Sequence, residues 1–124
     1  MVVLLADDNR LLLSVLANVL RLGGHDVLAA DSGDKALRLL RQLRPDCAIL
    51  DLYMPSVSGE EVARHCRALE IPFLFLTAYD DLVSRGVARD LGAREYMVKP
   101  TTGSELLAAL ARCAGSQAQP SPRA

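Results

Sequence analysis

Apolar positions along the chain fall into two kinds of run that alternate five times. Short, nearly continuous apolar stretches at Val2–Ala6, Asp26–Ala30, Cys47–Leu50, 72–76 and Glu95–Val98 have strand length and strand composition. Between them lie longer amphipathic segments at Arg10–Leu22, Gly33–Leu43, 59–69, Leu82–Leu91 and 103–113. The first is the clearest: Leu12, Leu13, Leu16, Val19 and Leu20 form one stripe of a 3.6-residue period, which predicts a helix with one face toward a core.

Local signals set the limits of these elements. Gly23-Gly24 ends the first helix, and Pro45 stands just beyond the second. Ser58 with Glu61, and Thr102 with Glu105, have capping-box spacing, while Asp80 is expected to cap the fourth helix. From Gly115 onward the run GSQAQPSPRA loses its period and is rich in Ser, Gln and Pro. The expected organisation is a domain over 1–114, then a flexible tail or linker over 115–124.

Strands such as Ala48-Ile49-Leu50 lack polar alternation, which implies burial on both faces and hence a parallel sheet covered by helices. Five strand–helix repeats with right-handed crossovers predict a doubly wound α/β domain, too short for an eight-fold barrel. In an open sheet of this kind the ligand sits beyond the carboxyl ends of the strands.

Composition narrows the setting. At 124 residues, with 51% apolar and 23% charged positions, the chain is one globular domain. A formal net charge of -1 gives no electrostatic footprint for nucleic acid. Cys47, Cys66 and Cys113 contain no C-x-x-C pair, and His25 and His65 do not supply zinc spacing, so all five read as structural or surface residues. Free thiols, an N-terminal apolar run without a basic start, and no span-length apolar segment predict a cytoplasmic protein without membrane contact. The cations are nearly all Arg; the only lysines are Lys35 and Lys99, which marks both for scrutiny.

The residues just past the predicted strands carry the chemistry. After the first come Asp7-Asp8-Asn9, after the third Asp51, after the fourth Thr77-Ala78, and after the fifth Lys99-Pro100. Singly, each has an ordinary reading: a helix cap, a turn residue before Pro55, a strand-end Thr, a solvated Lys. Together they gather three carboxylates, a hydroxyl and an ammonium on one edge. Two unit charges ~4 Å apart repel by roughly 4 kcal/mol at an effective dielectric near 20, so the carboxylates need cations. A divalent metal plus Lys99 balances three negative charges, and hard oxygen ligands favour Mg²⁺, with Mn²⁺ as a substitute.

These residues, with Asp51-Leu52-Tyr53-Met54-Pro55, Gly59 and the segment Gly92 to Pro100, resemble the receiver domain of two-component response regulators over about residues 2–114. The resemblance implies a flavodoxin-like three-layer sandwich with strand order 2-1-3-4-5 and five helices. It implies Asp51 as phosphoacceptor, Asp7 (mainly through water), Asp8, Asp51 and the Tyr53 carbonyl as metal ligands, and Lys99 as partner of Asp51 or of a phosphoryl oxygen. Thr77 would donate to the phosphoryl group, and Tyr96 would rotate inward as Thr77 moves. A cis peptide is implied between Lys99 and Pro100. The implied partners are a sensor histidine kinase or phosphotransfer protein, an output domain or downstream protein met by the fourth helix, fifth strand and fifth helix, and a second copy in a phosphorylation-dependent homodimer. The chain would be a switch assisting its own phosphorylation and dephosphorylation rather than an enzyme.

Tyr53 and Tyr79, two residues beyond Asp51 and Thr77, are larger than the family usually carries there. They are expected at the pocket rim, either screening an aspartyl phosphate from water or only packing. Several alternatives stand beside the main reading. The chain could be the receiver part of a longer transcriptional or RNA-binding regulator, or a receiver-like binding module without phosphorylation. A small Mg²⁺-dependent phosphatase is disfavoured by the missing D-x-D after the first strand. A nucleotide-binding domain is disfavoured because G-x-G-x-x-G and G-x-x-x-x-G-K-[ST] are absent.

Overall fold

The computed structural model describes the backbone of residues 1–118. Five strands alternate with five helices: β1 Val2–Ala6, α1 Arg10–Leu22, β2 Asp26–Ala30, α2 Gly33–Leu43, β3 Cys47–Leu50, α3 Gly59–Ala68, β4 Phe73–Thr77, α4 Leu82–Leu91, β5 Glu95–Val98 and α5 Gly103–Ala118. All pairings are parallel and the order is β2-β1-β3-β4-β5, as expected.

Two apolar layers clamp the sheet, and strand alternation decides which residue joins which. Leu4, Ala48, Leu50, Phe73 and Phe75 face the layer closed by Leu37 and Leu40 of α2, Val62 and Cys66 of α3, and Ala88 and Leu91 of α4. Val3, Leu5, Ile49, Leu74 and Leu76 face the opposite layer with Leu13, Leu16 and Leu20 of α1 and Leu106, Leu110 and Cys113 of α5. The central strands β3 and β4 are buried along their whole length, which is why their sequence shows no polar alternation.

Helix ends follow side-chain chemistry. Asn9 caps α1 by accepting from the Leu12 N–H at 3.0 Å, so the first turn needs neither Asp7 nor Asp8 as a cap. Ser32 caps α2 through the Lys35 N–H, and Lys35 itself is exposed there. Both capping boxes show the expected Ser/Thr bond, from Glu61 N–H to Ser58 Oγ at 3.3 Å and from Glu105 N–H to Thr102 Oγ1 at 3.1 Å. At Thr102 the reciprocal bond is present too, with the Glu105 carboxylate accepting the Thr102 N–H at 3.0 Å.

Three sequence expectations are corrected in detail. The cap of α4 is Asp81, accepting from the Ser84 N–H at 3.1 Å, while Asp80 is engaged by Arg85 instead. Thr77 is the last residue of β4 rather than the first beyond it, because Thr77 pairs in register with Val98. Helix α5 continues past Cys113 to Ala118, since a Gly–Ser–Gln–Ala run without Pro can extend an established helix even when it has no apolar stripe. The rest of the expected tail, 119–124, lies outside the described residues. Among the described residues, no helix is long and apolar enough to cross a membrane.

Candidate functional site

The site is built by the sheet continuing one residue past its strands. The Asp7 N–H donates to the Ala30 carbonyl at 3.1 Å, the Asp51 N–H to the Ala6 carbonyl at 3.0 Å, and the Lys99 N–H to the Thr77 carbonyl at 2.8 Å. Each of the three residues is thereby fixed at the carboxyl edge by the neighbouring strand, with its side chain leaving at a set angle. The peptide bond between Lys99 and Pro100 is cis, as the resemblance implied.

Lys99 is the electrostatic centre. Its ammonium lies 2.7 Å from Asp7 Oδ2 and 2.9 Å from Asp51 Oδ2, with the Asp7 and Asp51 carboxylates almost wholly buried. Burial alone would lower the Lys99 pKa, but the hydrogen bonds and charges of the two carboxylates outweigh it and hold the ammonium above its ordinary value. Burial pushes the Asp51 carboxyl above its ordinary value, and Lys99 works against that rise. The other Asp7 oxygen accepts the Asn9 N–H at 2.9 Å.

Asp8 is exposed beside this pair, and carboxylate oxygens of Asp7, Asp8 and Asp51 all lie within 4.8 Å of one another. Three carboxylates against one ammonium leave two negative charges, so the donor set suits a hard divalent cation.

Thr77 supplies the most informative polar atom. Its hydroxyl is fully buried and, among the described residues, has no hydrogen-bond partner. It lies close enough to Asp51 to favour the carboxylate slightly, without making a bond of good geometry. An orphaned buried hydroxyl costs about 1–3 kcal/mol, which leaves Thr77 Oγ1 with a donor to offer at this edge.

The loop after Asp51 is held by close backbone contact with α3. Gly59 donates its N–H to the Leu52 carbonyl at 2.9 Å, and a Cβ at Gly59 would lie 1.8 Å from the Asp51 carbonyl oxygen. Only a residue without a side chain lets α3 start that near Asp51. In the same loop, Ser56 has φ 65°, a conformation uncommon for a residue with a side chain.

The structure joins Tyr53 and Tyr79 to each other, with ring centroids 4.7 Å apart in edge-to-face geometry. The Tyr53 hydroxyl also lies 2.6 Å from Ser84 Oγ on α4. Tyr96 is half-buried, donates to the Tyr79 carbonyl at 2.6 Å, and lies under the Arg85 guanidinium. Sequence reasoning missed Ser84. Its one signal was a polar residue in line with Ala88 and Leu91 on the buried stripe of α4.

Comparison with known proteins agrees with this geometry. The family model described as "Response regulator receiver domain" matches residues 3–111. The chain is 39% identical over 108 residues to a protein named "Response regulator MprA" from Mycobacterium sp. (strain KMS), covering 86% of this chain and 47% of that one. It is 38% identical over 104 residues to "Transcriptional regulatory protein AfsQ1" of Streptomyces coelicolor, covering 83% and 46%. The chain thus spans about half the length of the curated relatives it matches. Among solved structures, Vibrio cholerae chemotaxis protein CheY4 superposes with a TM-score of 0.84 at 28% identity, covering 90% of this chain and 97% of that one. A CheY-like receiver domain protein from Methanospirillum hungatei JF-1 gives a TM-score of 0.91 at 21% identity, covering 97% and 98%, a likeness of fold.

Proposed function

Because this chain belongs to the response regulator receiver family, we propose that Asp51 is its phosphoacceptor and that the charge it gains is the signal. The observation that carries this reading is the buried, unpartnered Thr77 hydroxyl beside a Lys99-bound Asp51. The donor is a sensor histidine kinase or a phosphotransfer protein. A carboxylate oxygen of Asp51 attacks phosphorus, the new O–P bond forms, and the P–N bond to the donor imidazole breaks with its electron pair leaving on nitrogen.

Asp7, Asp8, Asp51 and the Tyr53 carbonyl are the residues that would hold Mg²⁺, or Mn²⁺ in its place. That ion supplies neutralisation of charge on the transferring oxygens. Lys99 neutralises from the other side and holds Asp51 in place for attack. The same residues assist later hydrolysis, so the chain acts as a switch whose reset rate is its own property.

Phosphorylation turns one negative charge into about two and adds acceptor oxygens. Thr77 then gains the partner it lacks, and its movement drags the segment that follows. That segment includes the Tyr79 carbonyl, which holds the Tyr96 hydroxyl. Tyr96 is released to turn inward, and the surface of α4, β5 and α5 changes shape. An output domain, a downstream protein or a second copy of the chain reads this surface. Because the curated relatives are about twice as long and one is named a transcriptional regulatory protein, an output domain in the same polypeptide is the reading they favour.

The test is incubation with acetyl phosphate and Mg²⁺, followed by intact mass. A gain of one phosphoryl group that disappears with EDTA or in Asp51→Asn supports the reading. An unchanged mass in wild type, or labelling that survives Asp51→Asn, overturns it. Sizing with and without beryllofluoride tests the homodimer.

A further inference from the structure

We infer that a hydrogen-bond chain from Tyr53 through Ser84 to Asp81 latches α4 to the phosphorylation loop, making Tyr53 a positioning residue for the switch. The inference rests on the receiver reading above and adds a second route out of the site, one that starts at the loop after Asp51 instead of at Thr77.

The proton order in this chain is fixed by counting. Ser84 is 1% exposed on the inner stripe of α4. Its hydroxyl donates to Asp81 Oδ1 at 2.7 Å, while Asp81 Oδ2 accepts the Ser84 N–H at 3.1 Å. A serine hydroxyl has one proton, and here the carboxylate takes it. At the 2.6 Å contact with Tyr53, Ser84 Oγ is therefore the acceptor and the phenol the donor. The order is Tyr53 O–H to Ser84 O–H to Asp81 carboxylate. A chain ending on a charge has its bonds strengthened in series. The hydrogen bonds from Ser84 hold the Asp81 carboxyl below its ordinary value, which agrees with an ionised terminus.

The ends of the chain are what give it consequence. Tyr53 lies two residues after Asp51, and Asp81 is the N-cap of α4. Capping alone needs only Asp81, so the buried Ser84 and the reach of Tyr53 are extra. Tyr53 also packs its ring edge-to-face on Tyr79, whose carbonyl holds Tyr96. The latch therefore fixes the β4–α4 segment in the arrangement that keeps Tyr96 engaged. Moving either the loop after Asp51 or the segment after Thr77 stretches a 2.6 Å bond that has little slack. The latch favours the unphosphorylated arrangement and opposes switching.

Tyr53→Phe removes the donor and keeps the ring, so it is the informative variant, with Ser84→Ala and the double variant completing a cycle. In the unphosphorylated protein, Tyr53→Phe is expected to speed exchange of the Ser84 and Arg85 amides roughly five- to tenfold, the factor one hydrogen bond's net worth supplies. It is expected to lower the Kd for beryllofluoride with Mg²⁺ by a similar factor, a change that a merely structural contact would not produce. The double variant should match Ser84→Ala, which by itself removes both the Tyr53 bond and the hydroxyl's bond to Asp81. Unchanged exchange and Kd in Tyr53→Phe, a raised Kd, or effects that simply add in the double variant would each overturn the latch. If wild type fails to take beryllofluoride, the receiver reading fails, while the amide exchange still decides the latch.

Discussion

Lys99→Met keeps the length and apolar stem of the side chain and removes the charge that lies 2.7 Å from Asp7 and 2.9 Å from Asp51. Two almost wholly buried carboxylates are then left facing each other. They can stay ionised, at a repulsion of roughly 4 kcal/mol for charges ~4 Å apart at an effective dielectric near 20. Alternatively one takes a proton. From an ordinary value of 3.8, protonation at pH 7 costs about 4 kcal/mol, at about 1.36 kcal/mol per unit. Both routes give the same ceiling. The site is partly open, with the Lys99 side chain 18% exposed, so water entering the vacated space brings the expected loss to about 2–3 kcal/mol.

The pH dependence identifies the cause. In the variant, Asp51 keeps the burial that raises its carboxyl and loses the Lys99 contact that works against the rise, so its protonated form is favoured by folding. That contribution is present at low pH and lost as pH rises through the raised value. The deficit against wild type should therefore be under about 1 kcal/mol near pH 4.5 and reach its full size by pH 7. Urea unfolding in EDTA at both pH values measures this, and Mg²⁺ should restore the variant more than it stabilises wild type. A deficit equal at the two pH values would show that Lys99 contributes by packing, and the electrostatic account would be wrong.

Three further outcomes are expected. Gly59→Ala places a methyl 1.8 Å from the Asp51 carbonyl oxygen, so backbone must move; a loss of about 3 kcal/mol in chemical unfolding, with slower acetyl phosphate labelling, is expected. Replacing both rim tyrosines, as Tyr53→Asn with Tyr79→Ala, should speed loss of the aspartyl phosphate, and equal decay rates would show that the 4.7 Å ring pair only packs. Hydrogen bonds from Thr102 hold the Glu105 carboxyl below its ordinary value of 4.5. Its support for the first turn of α5 is complete above that value and fades as pH falls through the lowered one. Amide exchange at Thr102 should show this acid-side loosening, and Glu105→Gln should abolish it.

The elements were legible because they are local. A 3.6-residue stripe, a continuous apolar run and a Thr–x–x–Glu box are each readable within a dozen residues, and the structure reproduces most of their limits. Where neighbouring residues of one type competed, local reading failed. Asp80 and Asp81 are adjacent cap candidates of the same type; the structure uses Asp81 as the cap, while Asp80 pairs with Arg85. The end of α5 was misplaced for a related reason, since the period ends before the helix does.

The candidate site was legible to the extent that fold and chain order place strand ends together. Asp7, Asp51, Thr77 and Lys99 stand after the first, third, fourth and fifth predicted strands, and any parallel sheet of these strands puts them on one edge. What only the tertiary structure decided is which atoms pair. Lys99 reaches Asp7 and Asp51 from across β4, Thr77 is left without a partner, and Tyr53 turns to a serine 31 residues away. Hydrophobic patterning fixes the face a residue occupies but carries no record of hydrogen-bond partners on other elements. Those partners follow from strand register and helix packing, which exist only once the chain has folded.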